Sequence, residues 1–348
     1  MMKNCVAWKP KSSDPSIASV RYRCLLPLDD MKSKGFNVEL FCEENVEKYS
    51  AVIFSKLYDP KNQELARRLQ AKSVTVILDL CDNHFYNPFN LDSYKVAKEN
   101  LLQMLHIADK VVCSTVALAE IVKNDACLKV MPVVIGDPIE PLPLGNSKLI
   151  INDWFNKLFH IKKISDDLPY LLWYGSHGAP NAPSGMSDIL SIKHVLNKIY
   201  KEYPFELVVA SNNKKKYHEV IEPMLIPSRY VEWDYSQFKS LLQSARGVII
   251  PITINPFTLC KTNNRLAMAL SNEIPVVADS IPSYVEFGSY CYLDDWENGL
   301  KNILGNHKSA QNRAKLGGKY IMENWTLNKI TDQWEKFLKS YLSVNLIV

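Results

Sequence analysis

Residues 261–287 read KTNNRLAMALSNEIPVVADSIPSYVEF. The middle, 266–270, is small and apolar, as a helix packed closely on a sheet would be. The run 274–278 then reads as a buried strand. Lys261, Asn263, Asn264 and Arg265 stand together at the start of that helix. Cations are mildly unfavourable there, because the helix dipole is already positive at its N-terminus. An anion docked on the free N–H groups reverses the sign, and the commonest such anion is a phosphate. Lys261 and Arg265 are four apart, so they share one face if the helix has already begun at Lys261.

The same helix–strand alternation extends in both directions. In the first half, strands are expected in NCVAW (4–8), FNVELF (36–41), AVIFSK (51–56), SVTVILDL (73–80), KVVCST (110–115) and VMPVVIG (130–136). Helices are expected over 21–35, stopped by Gly35, and over 62–72, 93–108 and 116–124. SVTVILDL is continuously apolar, the pattern of a strand covered on both faces. Strands separated by helices imply a parallel sheet with right-handed crossovers. The pattern breaks at GDPIEPLPLGNSK (136–148), rich in Pro and Gly, and 149–163 reads as a connecting helix. Alternation resumes at PYLLWYGSHG (169–178) and runs through FELVVAS, YVEWD and GVIIPI to the opening stretch. The expected architecture is α/β, with two tandem Rossmann-like, doubly wound domains. Their bounds are 1–145, a linker at 146–168, 169–325, and a terminal helix at 326–348.

Length and composition agree. The chain has 348 residues, enough for two domains of ordinary size, with 47% hydrophobic and 22% charged residues. A net charge of +4 suits an anionic ligand or a membrane surface and does not demand nucleic acid. Eight cysteines include no Cys-x-x-Cys pair, so buried reduced thiols of a cytoplasmic protein are expected, without a zinc site. The N-terminus MMKNCVAW lacks a signal-peptide core, and no apolar run approaches the ~18 residues of a membrane span.

In open parallel sheets, ligands bind beyond the C-terminal ends of the strands. Three loops there carry candidate chemistry. After the first strand of the second half, Gly175 and Gly178 allow close backbone approach, and Ser176 and His177 add donors. In the first half, LDLCDNHFYN (78–87) places Asp79 near a strand end and Asp82, Asn83 and His84 beyond it. A carboxylate and an imidazole there could orient or deprotonate a hydroxyl, although an Asx turn with a surface histidine reads equally well. The loop 12–19, with Ser19, and the pair Arg21 and Arg23 fall at the same end. One arginine is expected to meet an acceptor anion, with Arg21 preferred, and the other to face solvent.

Taken together, SVRYRCLLPLDDMKSKGFNVEL, ADKVVCSTVALAEIVK, VVIGDPIE, LLWYGSHG, ARGVIIPI and the opening stretch resemble the GT-B glycosyltransferases, in particular the retaining group-1 type. The resemblance spans nearly the whole chain. It implies a nucleoside-diphosphate sugar held mainly by the second domain and an acceptor held mainly by the first. The domains would close, with no metal or other cofactor. The diphosphate would meet Gly175, Ser176, His177, Lys261, Asn264 and Arg265. Trp233 or Tyr235 would contact the base and Glu286 the ribose, while Asp82 and His84 would serve catalysis and Ser19 and Arg21 the acceptor. The last helix would cross back to the first domain, burying Trp334, Phe337 and Leu338. Two departures stand out. Positions that hold glutamates in many group-1 members are Cys260 and Met268 here, and SHGAPNAPSG replaces the usual Arg and Lys.

The activity so implied is glycosyl transfer to a glycan, lipid-linked or other hydroxyl acceptor, as in polysaccharide biosynthesis, in the cytoplasm, with peripheral membrane contact left open. Three alternatives remain. They are a GT-B-shaped scaffold without catalysis, a sugar-nucleotide epimerase, and a phage-type nucleic-acid base glycosyltransferase. The modest charge weighs against the last, and nucleic acid is not expected as a partner. The sugar, base, acceptor, stereochemistry and oligomeric state are not legible.

Overall fold

The computed structural model describes residues 4–140 and 168–342. The break at 141–167 covers nearly all of the expected linker and the connecting helix at 149–163, which therefore lie outside the described residues. The chain divides into two compact units. The first holds the residues up to Glu140, the short segment Leu259–Thr262, and the chain from Asn324 onward; the second holds the described residues up to Thr258 and Asn263–Glu323.

The first unit is built on a six-stranded parallel sheet in the order β2-β1-β3-β4-β5-β6. Its strands are β1 (Cys5–Pro10), β2 (Val38–Leu40), β3 (Tyr49–Ser55), β4 (Thr75–Leu80), β5 (Lys110–Cys113) and β6 (Val133–Val134). Side chains alternate across it. Val6, Trp8, Ala51, Ile53, Ile77 and Val112 enter one core, and Ala7, Val52, Phe54, Val76, Leu78 and Cys113 enter the other. Burial on both faces explains why Val76, Ile77, Leu78 and Leu80 run together without the usual alternation, broken only by Asp79.

Between strands run helices α1 (18–33), α2 (Pro60–Ala71), α3 (Asp92–Ile107) and α4 (Val116–Asp125). Helix α1 begins three residues before the expected start and contains a π-helical stretch, Arg21–Leu25. Gly35 ends it at φ 83°, a backbone conformation that glycine tolerates without strain. Asp59 and Thr115 cap α2 and α4 by accepting from their first N–H groups.

The second sheet is also six-stranded and parallel, in the order β12-β11-β10-β7-β8-β9. It comprises β7 (Tyr170–Tyr174), β8 (Glu206–Ser211), β9 (Ser228–Glu232), β10 (Gly247–Ile250), β11 (Val276–Ala278) and β12 (Tyr292–Leu293). Counted within the unit this is 6-5-4-1-2-3, the dinucleotide-binding order read backwards, with its switch point between β7 and β10. Its helices are α5 (Lys193–Glu202), α6 (Lys214–Val220), α7 (Tyr235–Gln243), α8 (Asn264–Ser271), α9 (Trp296–Gly305) and α10 (His307–Asn324). Helix α6 has no apolar stripe to announce it, since its first turn is Lys214, Lys215 and Lys216. Asn213 caps it, and only Tyr217 is buried along it.

The last helix, α11 (Leu327–Tyr341), belongs to the first unit. Ile330, Trp334, Phe337 and Leu338 cover one face of the first sheet as the apolar spacing requires. The Trp334 ring meets Trp8 edge to face, with centroids 5.6 Å apart. Five of the eight cysteines are buried; Cys42 and Cys127 are exposed and Cys81 is half-buried. No described helix is long and apolar enough to cross a membrane.

Candidate functional site

In the second unit, the loops that follow β7 and β10 meet at the switch point. Gly175 and Gly178 adopt φ of 156° and 146°, and Gly185 of 88°. A Cβ on Gly185 would lie 2.5 Å from the Gly178 backbone, so glycine is required where the loop folds on itself. Asp188 and Asn255 lace the two loops together. Asp188 accepts from the Gly185 N–H at 2.7 Å and from the Thr253 hydroxyl at 2.6 Å. The Asn255 amide donates to the Pro183 carbonyl at 2.8 Å. These residues were not singled out in the sequence, where they look like ordinary loop polars. Their one signal is a carboxylate three residues after a glycine, placed to take its N–H.

Arg265 comes to this loop. Its Nη1 is 3.5 Å from the position a Gly175 Cβ would occupy, so the guanidinium lies over the glycine. The Tyr174 hydroxyl donates to the Arg265 carbonyl at 2.5 Å. Helix α8 begins at Asn264, and the side chain of Asn263, the residue before it, does not cap it. Asn264 and Arg265 are both half-buried. An arginine, a helix N-terminus and a glycine turn thus converge at the switch point, the equipment of an anion site.

Other expected residues are distributed around this unit. The His177 ring is 2.9 Å from the Asn212 side chain through Nδ1, and its carbonyl accepts from Lys216 Nζ at 2.7 Å. Ser176 is exposed and stays within its own turn. Trp233 and Tyr235, just beyond β9, are half-buried neighbours with ring centroids 6.3 Å apart. Glu286 lies in a short 3-10 turn, exposed, and accepts from the Tyr320 hydroxyl at 2.8 Å. Met268 is buried within α8, and Cys260 is buried in the first unit's core. Burial pushes the Cys260 thiol up to about 12.

Lys261 does not share a helical face with Arg265. The helix starts three residues later, and the segment carrying Lys261 belongs to the first unit. The Cys260 carbonyl accepts from the Thr115 hydroxyl at 3.1 Å, and Lys261 Nζ bonds Asp82 Oδ1 at 2.6 Å. The reason is electrostatic. Asp82 sits beyond β4 with little exposure, and a carboxylate there needs compensating charge.

A second lysine shares the same carboxylate. Lys56 follows β3 in the left-handed region (φ 55°), its N–H donates to the Asp79 carbonyl at 2.9 Å, and its ammonium pairs with Asp82 Oδ2. Burial alone would raise the Asp82 pKa, but Lys261 and Lys56 together hold it well below the usual carboxylate range. Asp82 is therefore a fixed anion and a poor proton acceptor. His84 lies beside it. Burial, reinforced by the two lysines and opposed by Asp82, brings its pKa down to about 4, so the ring is neutral near pH 7. The Tyr58 hydroxyl is 2.5 Å from His84 Nδ1.

The arginines behave differently from expectation. Neither faces solvent. Arg21 pairs with Glu140 at 2.6 Å and donates to the Pro15 carbonyl, also at 2.6 Å. Arg23, 1% exposed, bonds Asp79, Asp137 and the carbonyls of Ile135 and Gly136. Desolvating a guanidinium demands this many acceptors, which ties the ends of β4 and β6 to α1. Ser19 is half-buried on α1. Among the described residues, no group of three or more His, Cys, Asp or Glu is placed to hold a metal ion.

No protein-family model matches this sequence, and no curated protein matches it. Solved structures do match in three dimensions. A glycosyltransferase of Rickettsia africae superposes with a TM-score of 0.66 at 12% identity, over 99% of this chain and 100% of that one. HepE of Anabaena, solved with UDP-glucose, gives 0.63 at 12% identity over 97% and 99%. A UDP-forming α,α-trehalose-phosphate synthase of Burkholderia vietnamiensis gives 0.63 at 9% identity over 99% of each chain. The likeness at such identities is one of fold: two parallel six-stranded sheets with their helices and a terminal helix on the first unit, the GT-B architecture of these glycosyltransferases.

Proposed function

We propose that this chain is a glycosyltransferase that takes a sugar from a nucleoside-diphosphate donor to a hydroxyl acceptor. One observation carries the proposal. The Arg265 guanidinium lies over Gly175, at the start of α8 and at the switch point of a sheet in dinucleotide-binding order. A departing diphosphate develops charge there, and preorganised donors lower the barrier by stabilising it. Arg265, the N–H groups of Asn264 and Arg265, and the loop of Gly175, Ser176 and His177 form the diphosphate side. Trp233 and Tyr235, at the end of β9, offer ring faces for a base. Glu286 is an exposed carboxylate for a ribose.

The first unit serves the acceptor. Asp82 is kept ionised by its lysines and orients donors; it does not take a proton. His84, neutral and fixed by Tyr58, is placed to accept a hydrogen bond from, and so orient, an acceptor hydroxyl. The solved relatives include one holding UDP-glucose and one named as UDP-forming, which makes UDP-sugars the first donors to test.

The test is calorimetric titration with UDP-, GDP-, ADP- and TDP-sugars, followed by slow donor hydrolysis. Binding with release of nucleotide supports transfer. Binding without release, with or without acceptors, supports a scaffold, and interconversion of sugars without release supports an epimerase. Absence of binding to every donor refutes the reading.

A further inference from the structure

We infer that Lys216 is a second phosphate-binding residue of the nucleotide site, taking the phosphate next to the nucleoside while Arg265 takes the outer one. The inference rests on the reading of the second unit as the donor half. In the sequence Lys216 is one of three consecutive lysines in NNKKKYH. In the structure the three differ. Lys214 and Lys215 are exposed, whereas Lys216 is half-buried and reaches the glycine turn that follows β7. Its Nζ donates to the His177 carbonyl at 2.7 Å and lies 3.3 Å from the position a Gly178 Cβ would occupy. Asn212, between β8 and α6, holds the same turn: its side-chain oxygen accepts from the His177 N–H at 3.3 Å and lies 2.9 Å from His177 Nδ1. Arg265 has the matching place at the other end, with Nη1 3.5 Å from the Gly175 Cβ position. One cation therefore stands over each glycine of the turn. An ammonium group has three N–H donors, and the His177 carbonyl takes one.

Strand order assigns the two cations to different phosphates. Neighbours across the second sheet run β10-β7-β8-β9. Beyond their C-terminal ends stand, in the same order, Arg265 on α8, the glycine turn, Lys216 on α6, and Trp233 with Tyr235. Neighbouring strands are about 4.8 Å apart, so these groups form a row. A base on the aromatic pair brings its first phosphate to Lys216. The second phosphate then falls across the turn, at Arg265 and the start of α8. The row suits a diphosphate donor, because a sugar carried on a nucleoside monophosphate would meet Lys216 and stop short of Arg265.

The experiment titrates the full chain calorimetrically with uridine, UMP and UDP, and with the matching adenosine and guanosine series, and follows the series whose diphosphate binds tightest. In the unmodified chain the monophosphate should bind about tenfold or more tightly than the nucleoside, and the diphosphate about tenfold or more tightly again. Lys216→Met should weaken monophosphate and diphosphate alike by about tenfold and leave the nucleoside as it was. Arg265→Met should weaken the diphosphate alone. Lys216→Arg should retain most of the affinity. Lys216→Gln separates phosphate binding from mere support of the turn: its amide can still donate to the His177 carbonyl but carries no charge, so it should behave as the methionine variant does. Recovery of affinity by glutamine, indifference of both nucleotides to Lys216→Met, or a loss confined to the diphosphate overturns the assignment. Should the Lys216 variants fold poorly, the unmodified chain answers: a monophosphate that binds no tighter than its nucleoside overturns it. Failure of every nucleotide to bind refutes the donor reading of this unit itself. Binding in the expected pattern, with no nucleotide released from any sugar donor, supports Lys216 and removes the transferase reading, so the two conclusions can fall separately.

Discussion

His84 provides a sharp quantitative test of the first unit. Its ordinary value is 6.5 and its value in the folded chain is about 4, set chiefly by burial and secondarily by Lys56 and Lys261 against Asp82. The sign follows from which state takes the proton first. Above pH 6.5 the ring is neutral whether folded or unfolded, and it contributes nothing. Between 6.5 and 4 the unfolded chain is protonated and the folded one is not, so falling pH favours unfolding; below 4 the penalty is constant. By pH 4.5 the loss is roughly 2–3 kcal/mol. Asp82 does not blur this window. Its pKa is depressed, so its stabilising contribution begins to fade only as pH drops below the ordinary aspartate value of 3.8.

The perturbation is His84→Gln, which keeps a polar side chain near Tyr58 and removes the titration. The assay is urea unfolding at pH 7 and pH 4.5, followed by a probe in the first unit such as Trp8 or Trp334 fluorescence. The unmodified chain should lose roughly 2–3 kcal/mol more than the variant between the two pH values. A proton NMR titration of His84 should agree, with an inflection near 4. Replacing Lys56 by Met should move that inflection upward, because a like charge has gone. Identical pH slopes in the two proteins, or a His84 resonance that titrates near 6.5, would refute the account of burial and charge around Asp82.

Three further outcomes follow from other parts of the molecule. Arg265→Ala should weaken UDP binding about 10- to 100-fold, the loss of a charge-assisted contact, read by calorimetry; unchanged affinity would remove Arg265 from the diphosphate side. Arg23→Met should destabilise the first unit by about 3–5 kcal/mol, because Asp79 and Asp137 are left buried without their cation; a denaturation midpoint near the parent's would contradict that. Trp334→Ala, which empties the space against Trp8 and Phe337, should cost about 3–5 kcal/mol in the same measurement; a loss below 1 kcal/mol would show that α11 is not needed by the first core.

The fold was legible because its signals are local and repeated. Nearly continuous apolar strands such as SVTVILDL report burial on two faces, Gly35 marks a helix end, and the spacing of Ile330, Trp334, Phe337 and Leu338 marks one apolar stripe. The site was legible only where its residues are consecutive. Asn264 and Arg265 open α8 as the sequence indicates, and Gly175 lies beneath the guanidinium. Four-residue spacing puts Lys261 and Arg265 on a shared face only if the helix has begun at Lys261, and it begins three residues later, at Asn264. What decides the position of Lys261 is Asp82, 179 residues away along the chain, whose carboxylate bonds it inside the first unit.

The same reasoning explains the two arginines. A surface arginine and a buried one look alike in sequence, because the side chain carries no record of its partners. Arg23 is buried because Asp79, Asp137 and two carbonyls come to it from distant strand ends. Arg21 is held because Glu140 does the same. Buried charge is therefore the part of this protein that local pattern reading misses, since its energetics depend on pairing and not on periodicity. Asp82 is the strongest case. A lone aspartate after a strand reads as a base, but with one lysine on each oxygen its carboxylate is held ionised and takes up no proton near neutral pH.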